Sequence, residues 1–201
     1  MTASRPVDCP ILDPLDVARG EQYRFAASLL SSAPSTDLLR RIGLLSGDDS
    51  ALGQAISALA ATAARTSEAD AASEFFDLFV GVGRGELLPY GSFYQTGFLN
   101  ERPLAEVRAD LERLGVARAE HRFEPEDHIA LLFEVMADMA QGRISVSAGH
   151  QAEFFARHIA PWAGQFFDDL AIAPSAKFYR PVAEVGRLLV DIEARAFSLA
   201  A

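Results

Sequence analysis

Apolar residues recur at helical spacing along most of the chain after Pro10, and no segment alternates strictly enough to predict a strand. The last segment, which begins near Ala176, shows the pattern most clearly. Its apolar positions step by four, three, four and three residues: Phe178, Val182, Val185, Leu189 and Ile192. A stripe of this kind is typical of a helix that packs into a bundle. We therefore predict an all-α, single-domain helical bundle of about eight or nine helices.

Proline, glycine and capping residues divide this pattern into separate helices. The predicted helices cover 13–30, 36–45, 50–64, 67–80, 103–114, 125–141, 148–159, 161–170 and the segment from 176 onward. Residues 1–12 are expected to form a flexible N-terminal tail, and residues 13–201 the helical domain. Segment 81–100 is the longest predicted irregular stretch in the interior, and long loops in compact domains are often functional.

Composition and charge narrow the possible partners. Half of the 201 residues are hydrophobic, which is enough for one substantial core. The net charge of -10 argues against nucleic acid, because phosphate binding requires clustered Lys and Arg. It favours a basic partner, although acidity that only keeps the protein soluble is the alternative interpretation.

The location of the protein is indicated by cysteine usage and hydropathy. Cys9 is the single cysteine and has no disulfide partner, which fits a reducing cytoplasm. No apolar run is long enough for a membrane helix, and segment 1–10 lacks the basic and apolar regions of a signal peptide. We expect a cytoplasmic protein without stable membrane insertion.

The glycine-rich segment 81–86 allows a backbone to approach phosphate closely, so nucleotide binding has to be considered. This segment follows a predicted helix rather than a strand, and it lacks the Gly-Lys-Ser/Thr of a phosphate-binding loop. Cys9 and Ser92 lie in no sequence typical of a catalytic nucleophile.

Four side chains that can bind metal or exchange protons lie close together in sequence: His121, Glu124, Asp127 and His128. Their spacing lacks His-Glu-x-x-His, and acidic residues that follow Pro125 can instead cap a helix that begins there. We therefore predict no metal, no cofactor and no catalytic residue. A small metal- or nucleotide-dependent hydrolase that uses segment 121–128 and the glycine loop is one alternative, and a structural subunit of a helical complex is another.

Three groups of segments resemble a known family. Glu-Phe-Phe-Asp-Leu-Phe-Val-Gly at 74–81 and Leu-Pro-Tyr-Gly-Ser-Phe-Tyr at 88–94 are similar to its Glu-x-x-x-Leu-Phe-x-Gly helix end and the Pro-aromatic-x-Ser-x-Tyr loop that follows. Phe-Glu-Pro-Glu-Asp-His-Ile at 123–129 resembles its Glu-Pro-x-Asp-His element, and segment 154–162 resembles its later helices. The likeness is to the TorD/DmsD family of molybdoenzyme maturation chaperones, and it covers about residues 74–192. Two departures are Gly91, where relatives often carry an acidic residue, and Tyr90, where some carry Trp.

The resemblance implies an all-helical, non-enzymatic cytoplasmic chaperone, either a monomer or a homodimer. Members bind the twin-arginine signal peptide, and sometimes the body, of the precursor of a molybdopterin-containing oxidoreductase. They assist cofactor insertion and delay export until maturation. By position, the family's peptide-binding residues correspond to Phe79, Pro89, Tyr90, Ser92, Glu124, Asp127 and His128.

Physical chemistry agrees with this expectation. A twin-arginine peptide carries guanidinium groups beside an apolar run, so its receptor needs carboxylates and an apolar groove. Glu124 and Asp127 can supply the carboxylates, and Phe79, Tyr90 and Phe93 the apolar surface. Structural roles are the alternative: Phe79 in the core, Pro89 in shaping the loop, and Asp127 in capping its own helix. We predict that Asp127 carries part of the arginine recognition.

Overall fold

One helix, α7 (Ile129–Ala140), is apolar on nearly all sides and therefore lies in the centre of the protein. In the computed structural model, which describes residues 13–117 and 124–200, it packs most extensively against α1 (Pro14–Ser31). Both helices contribute to one continuous hydrophobic core, which contains Tyr23, Leu30 and Phe133. A single core is consistent with one helical domain.

Ten α-helices and one π-helical turn make up the regular structure of the described residues. Besides α1 and α7 they are α2 (Thr36–Ile42), α3 (Ala51–Ala63), α4 (Glu68–Phe75), the π turn (Phe76–Val80), α5 (Gly91–Thr96), α6 (Arg102–Arg113), α8 (Ala148–His158), α9 (Ala163–Ile172) and α10 (Tyr179–Ala200). No strand occurs within 13–117 or 124–200. The predicted all-α fold is confirmed, with slightly more helices than predicted.

The additional helix is α5, which lies inside the segment predicted to be irregular. Its six residues are too few to show periodicity, although Gly97 marks its end with a positive φ of 83°. The helix predicted from Pro125 begins only at Ile129, after a turn, so the prediction of its start was wrong. The predicted helix 67–80 changes from α to π geometry at Phe76.

Buried polar groups join α1 to α10 across the core. The carboxylate of Glu193 accepts hydrogen bonds from Arg19 at 2.8 Å and from the Tyr23 hydroxyl at 3.0 Å. This hydrogen bond raises the pKa of Arg19, so the guanidinium group keeps its charge. Because each group has a partner, the desolvation of the pair is offset by charge-assisted bonds.

The tail predicted for residues 1–12 lies outside the described residues, as does His121. Within the described ranges, no helix is both long and apolar enough to cross a membrane.

Gly186 tests how closely α10 packs on α9. A Cβ atom at this position would lie 2.2 Å from the ring of Phe167, which is 1% exposed and cannot move freely. We expect Gly186→Ala to lower the free energy of unfolding by about 1–3 kcal/mol, measured by urea denaturation.

Gly149→Ala is the matched control, because a Cβ at Gly149 in α8 meets nothing closer than 3.8 Å. Alanine favours a helix over glycine, so this variant should be unchanged or more stable by up to about 1 kcal/mol. Equal losses for both variants would contradict the close packing of α10 on α9.

Candidate functional site

A groove of about 410 Å³ lies between the end of α1, the π turn, segment 89–90 and the start of α7. Its lining is mostly apolar and consists of Leu30, Ser31, Ser32, Phe75, Phe79, Val80, Pro89, Tyr90, Glu124, His128, Ala130 and Leu131. Five of the seven predicted site residues are among them: Phe79, Pro89, Tyr90, Glu124 and His128. The fold therefore brings together residues that are far apart in sequence.

Segments 89–91 and 127–129 meet in a short antiparallel pairing at one side of this groove. An isolated bridge joins Tyr90 to His128, and main-chain hydrogen bonds of 2.9 Å lie on either side of it. The two rings make an edge-to-face contact with their centroids 5.1 Å apart. We refer to this pairing as the 90/128 bridge, and it fixes the relative positions of the two motifs.

Asp127 and Ser92, the other two predicted residues, lie beneath the groove rather than on its surface. The Asp127 side chain is 1% exposed, and its Oδ2 accepts the N–H of Ser92 at 2.7 Å. Within the described residues, Oδ1 of Asp127 and the Ser92 hydroxyl are buried without a hydrogen-bond partner. Asp127 therefore caps the first turn of α5.

The structure does not support the alternative interpretation, in which Asp127 caps its own helix. That helix, α7, begins at Ile129, and its N-cap is His128, whose Nδ1 accepts the N–H of Ala130 at 3.1 Å. Asp127 instead accepts a hydrogen bond from the first turn of α5, 35 residues earlier, which the sequence could not show.

Glu124 places negative charge at the wall of the groove. Its carboxylate is exposed and accepts a hydrogen bond from the Tyr90 hydroxyl. Burial, followed by the hydrogen bond to Glu124, raises the pKa of Tyr90. Tyr90 therefore remains protonated at neutral pH and continues to donate to the carboxylate. This arrangement places a carboxylate beside the apolar side chains of the groove.

Phe79 forms the opposite wall, and it contacts the core as well as the groove. Its ring makes edge-to-face contacts with Phe75 and Tyr179, at centroid distances of 5.1 and 5.4 Å. Phe79 therefore packs against the core and also lines the groove.

Glu74 holds this wall in place, although the sequence did not predict this role. Its side chain is 7% exposed and accepts three main-chain N–H groups at the start of α10, those of Lys177, Phe178 and Tyr179, at 2.7, 3.0 and 2.7 Å. The sequence signal is an acidic residue within an apolar helix end, but its partners lie more than 100 residues away.

The glycine-rich segment has a structural explanation. Gly81 and Gly83 have positive φ angles of 63° and 86°, which glycine adopts without strain. The N–H of Gly81 donates to the carbonyl of Phe76. Further along the chain, the N–H groups of residues 86 and 87 donate to carbonyls of the π turn. A Cβ at Gly85 would lie 2.6 Å from the main chain of the π turn. Glycines therefore allow the chain to fold back against the π turn.

No group of three or more His, Cys, Asp or Glu side chains suited to a metal occurs in the described parts of the chain. Glu124, Asp127 and His128 each accept a hydrogen bond from a different partner. The three side chains therefore make separate hydrogen bonds and do not form a common metal site.

Comparison with known proteins identifies the family. Residues 46–168 match the family model described as nitrate reductase delta subunit, which covers more than half of the chain. The chain belongs to this family and, within it, to the TorD/DmsD group of redox enzyme maturation proteins.

Individual relatives agree with this assignment. The chain is 30% identical over 109 residues to the chaperone protein TorD of Vibrio cholerae serotype O1, covering 50% of each protein. It is 26% identical over 136 residues to TorD of Aliivibrio fischeri, covering 60% of this chain and 63% of the relative. The alignment thus spans about half the length of the Vibrio cholerae relative.

A solved structure has the same fold. It belongs to an Archaeoglobus fulgidus protein described as a redox enzyme maturation protein, and it superposes with a TM-score of 0.55 over 86% of this chain and 93% of that one. Because only 18% of the aligned residues are identical, this likeness supports the fold alone.

Glu74→Gln tests whether the carboxylate supports the groove wall. Glutamine offers one acceptor oxygen and turns an N–H₂ group toward main-chain donors, so we expect a loss of about 2–4 kcal/mol in the free energy of unfolding.

Glu86→Gln is the control, since Glu86 is exposed and its carboxylate accepts hydrogen bonds from the N–H and the hydroxyl of Ser175. This variant should lose about 1 kcal/mol or less. A loss at Glu74 no greater than at Glu86 would show that the buried carboxylate does not hold α10.

Proposed function

We propose that this protein is a cytoplasmic maturation chaperone that acts without turnover on the precursor of a molybdenum-cofactor oxidoreductase. In this proposal, the groove binds the twin-arginine signal peptide of the precursor and delays export until the cofactor is inserted. Membership of the family supports the proposal, as does the description of the Vibrio cholerae and Aliivibrio fischeri relatives as chaperones.

The single observation that carries the proposal is the composition of the groove. One exposed carboxylate, that of Glu124, lines a groove whose other side chains are mainly apolar, such as Phe79 and Leu131. A guanidinium group followed by an apolar side chain matches this combination. A groove of about 410 Å³ accommodates a few side chains rather than a whole helix, so it suits an extended peptide segment.

The charge of the whole protein acts in the same direction. A net charge of -10 attracts a basic peptide over several ångströms and increases its rate of association. Because this attraction is screened by salt, binding should weaken as the ionic strength rises.

Calorimetric titration with a synthetic peptide that carries paired arginines and an apolar run tests the function. We expect a dissociation constant near the micromolar range, or about -8 kcal/mol, because release must follow maturation. A twin-lysine peptide should bind more weakly, since an ammonium group cannot form the bidentate bonds of a guanidinium. No binding to any candidate signal peptide would contradict the proposed function.

Two valines distinguish the groove from its surroundings in the same titration. Val80 lines the groove and is 51% exposed, whereas Val82 is 96% exposed on the neighbouring glycine loop and does not line it. Val80→Lys should weaken peptide binding about tenfold or more, because it places a positive charge in the apolar wall, where it repels the arginines of the peptide. Val82→Lys adds the same charge nearby and should change affinity by less than about threefold. Equal effects would place the peptide elsewhere.

A further inference from the structure

Two acidic residues lie three positions apart in the Glu-Pro-x-Asp-His element, and the structure gives them different environments. Glu124 is exposed and lines the groove, and Asp127 is buried beneath it. We propose that Glu124 alone contacts the guanidinium group of the bound peptide, while Asp127 is a positioning residue that sets the shape of the groove. This inference rests on the proposed function and assigns roles within that same groove.

The environment of Asp127 argues against direct contact with a peptide. A guanidinium group could reach this carboxylate only if segment 89–92 moved away, because Asp127 is 1% exposed and its Oδ2 is bonded to the N–H of Ser92 at 2.7 Å. The carbonyl of the same residue accepts the N–H of Gly91 at 2.9 Å. Asp127 therefore holds the chain through both its main chain and its side chain.

These contacts connect Asp127 to the groove. Holding segment 91–92 fixes the start of α5 and the adjoining 90/128 bridge, and so fixes the ring of Tyr90 in the groove wall. The Tyr90 hydroxyl in turn donates to Glu124. Asp127 thus acts on the peptide through Tyr90 and Glu124.

Glu124 has the geometry of a direct contact. Glu124 is exposed, lines the groove and accepts a hydrogen bond from Tyr90, which orients its carboxylate. Exposure lowers the desolvation cost of bringing a cation to it, and the apolar residues Leu131 and Phe79, which line the same groove, exclude part of the water once a peptide is bound.

The role of direct contact and the role of positioning can be separated by removing charge from the protein and from the peptide in turn. The probes are two synthetic peptides of the same sequence, one with paired arginines and one with paired citrullines, which keep the shape of arginine without its charge. Each is titrated into the unmodified protein and into Glu124→Gln, Asp127→Asn, Asp127→Ala and the control Glu86→Gln. The free energy of unfolding of each variant is measured in parallel.

We expect Glu124→Gln to weaken binding of the arginine peptide about tenfold or more and that of the citrulline peptide less than about twofold. Asp127→Ala should weaken both peptides by the same factor, because it disturbs the shape of the groove rather than a charge contact. Asp127→Asn retains an acceptor for the Ser92 N–H and should restore most of the affinity lost in the alanine variant. Glu86→Gln removes an exposed charge outside the groove and should change the affinity for neither peptide by more than about twofold.

The reverse pattern of affinities would overturn the inference. If Asp127→Asn weakens only the arginine peptide while Glu124→Gln affects both peptides alike, Asp127 contacts the guanidinium and the inference is wrong. This comparison does not depend on the folding of Asp127→Ala. If the unmodified protein binds neither peptide, the proposed function fails and the inference fails with it, whereas charge coupling at Asp127 overturns the inference alone.

Discussion

The groove depends on the pairing of segment 89–92 with segment 127–129. A carboxyl group is costly to bury unless hydrogen bonds replace its water, and the Oδ2 of the buried Asp127 accepts the N–H of Ser92. The same contact starts α5, a helix of six residues that is too short to be stable by itself. The paired segments carry Tyr90 and His128 into the groove, so its shape follows from this pairing.

A second buried carboxylate fixes the other wall by the same chemistry. Glu74 binds three N–H groups at the start of α10 and thereby anchors the π turn that carries Phe79. In both cases an acidic side chain meets the positive end of a helix that is distant in sequence. Glu74 and Asp127, one acidic residue from each of two motifs, thus join elements, whereas the exposed Glu124 lines the groove.

The sequence predicted the fold more completely than the site. Helical periodicity predicted the all-α bundle, because burial of one face leaves a repeat that is visible locally, as in α10. It did not predict α5, whose stability comes from Asp127, or the start of α7 at Ile129. The resemblance to a family named five of the residues that line the groove, together with Asp127 and Ser92, which lie beneath it. It could not separate the exposed Glu124 from the buried Asp127, since burial depends on contacts between distant segments.

Photo-crosslinking tests the location of the peptide most directly. A twin-arginine peptide with benzoylphenylalanine at the first apolar position after the arginines would be irradiated with the protein, and the linked residues would be identified by mass spectrometry. The account predicts links to the end of α1 and to the π turn, near Ser32 and Val80. Links confined to the separate cavity between α1, α2, α3 and α10, near Leu38 and Leu52, would contradict it.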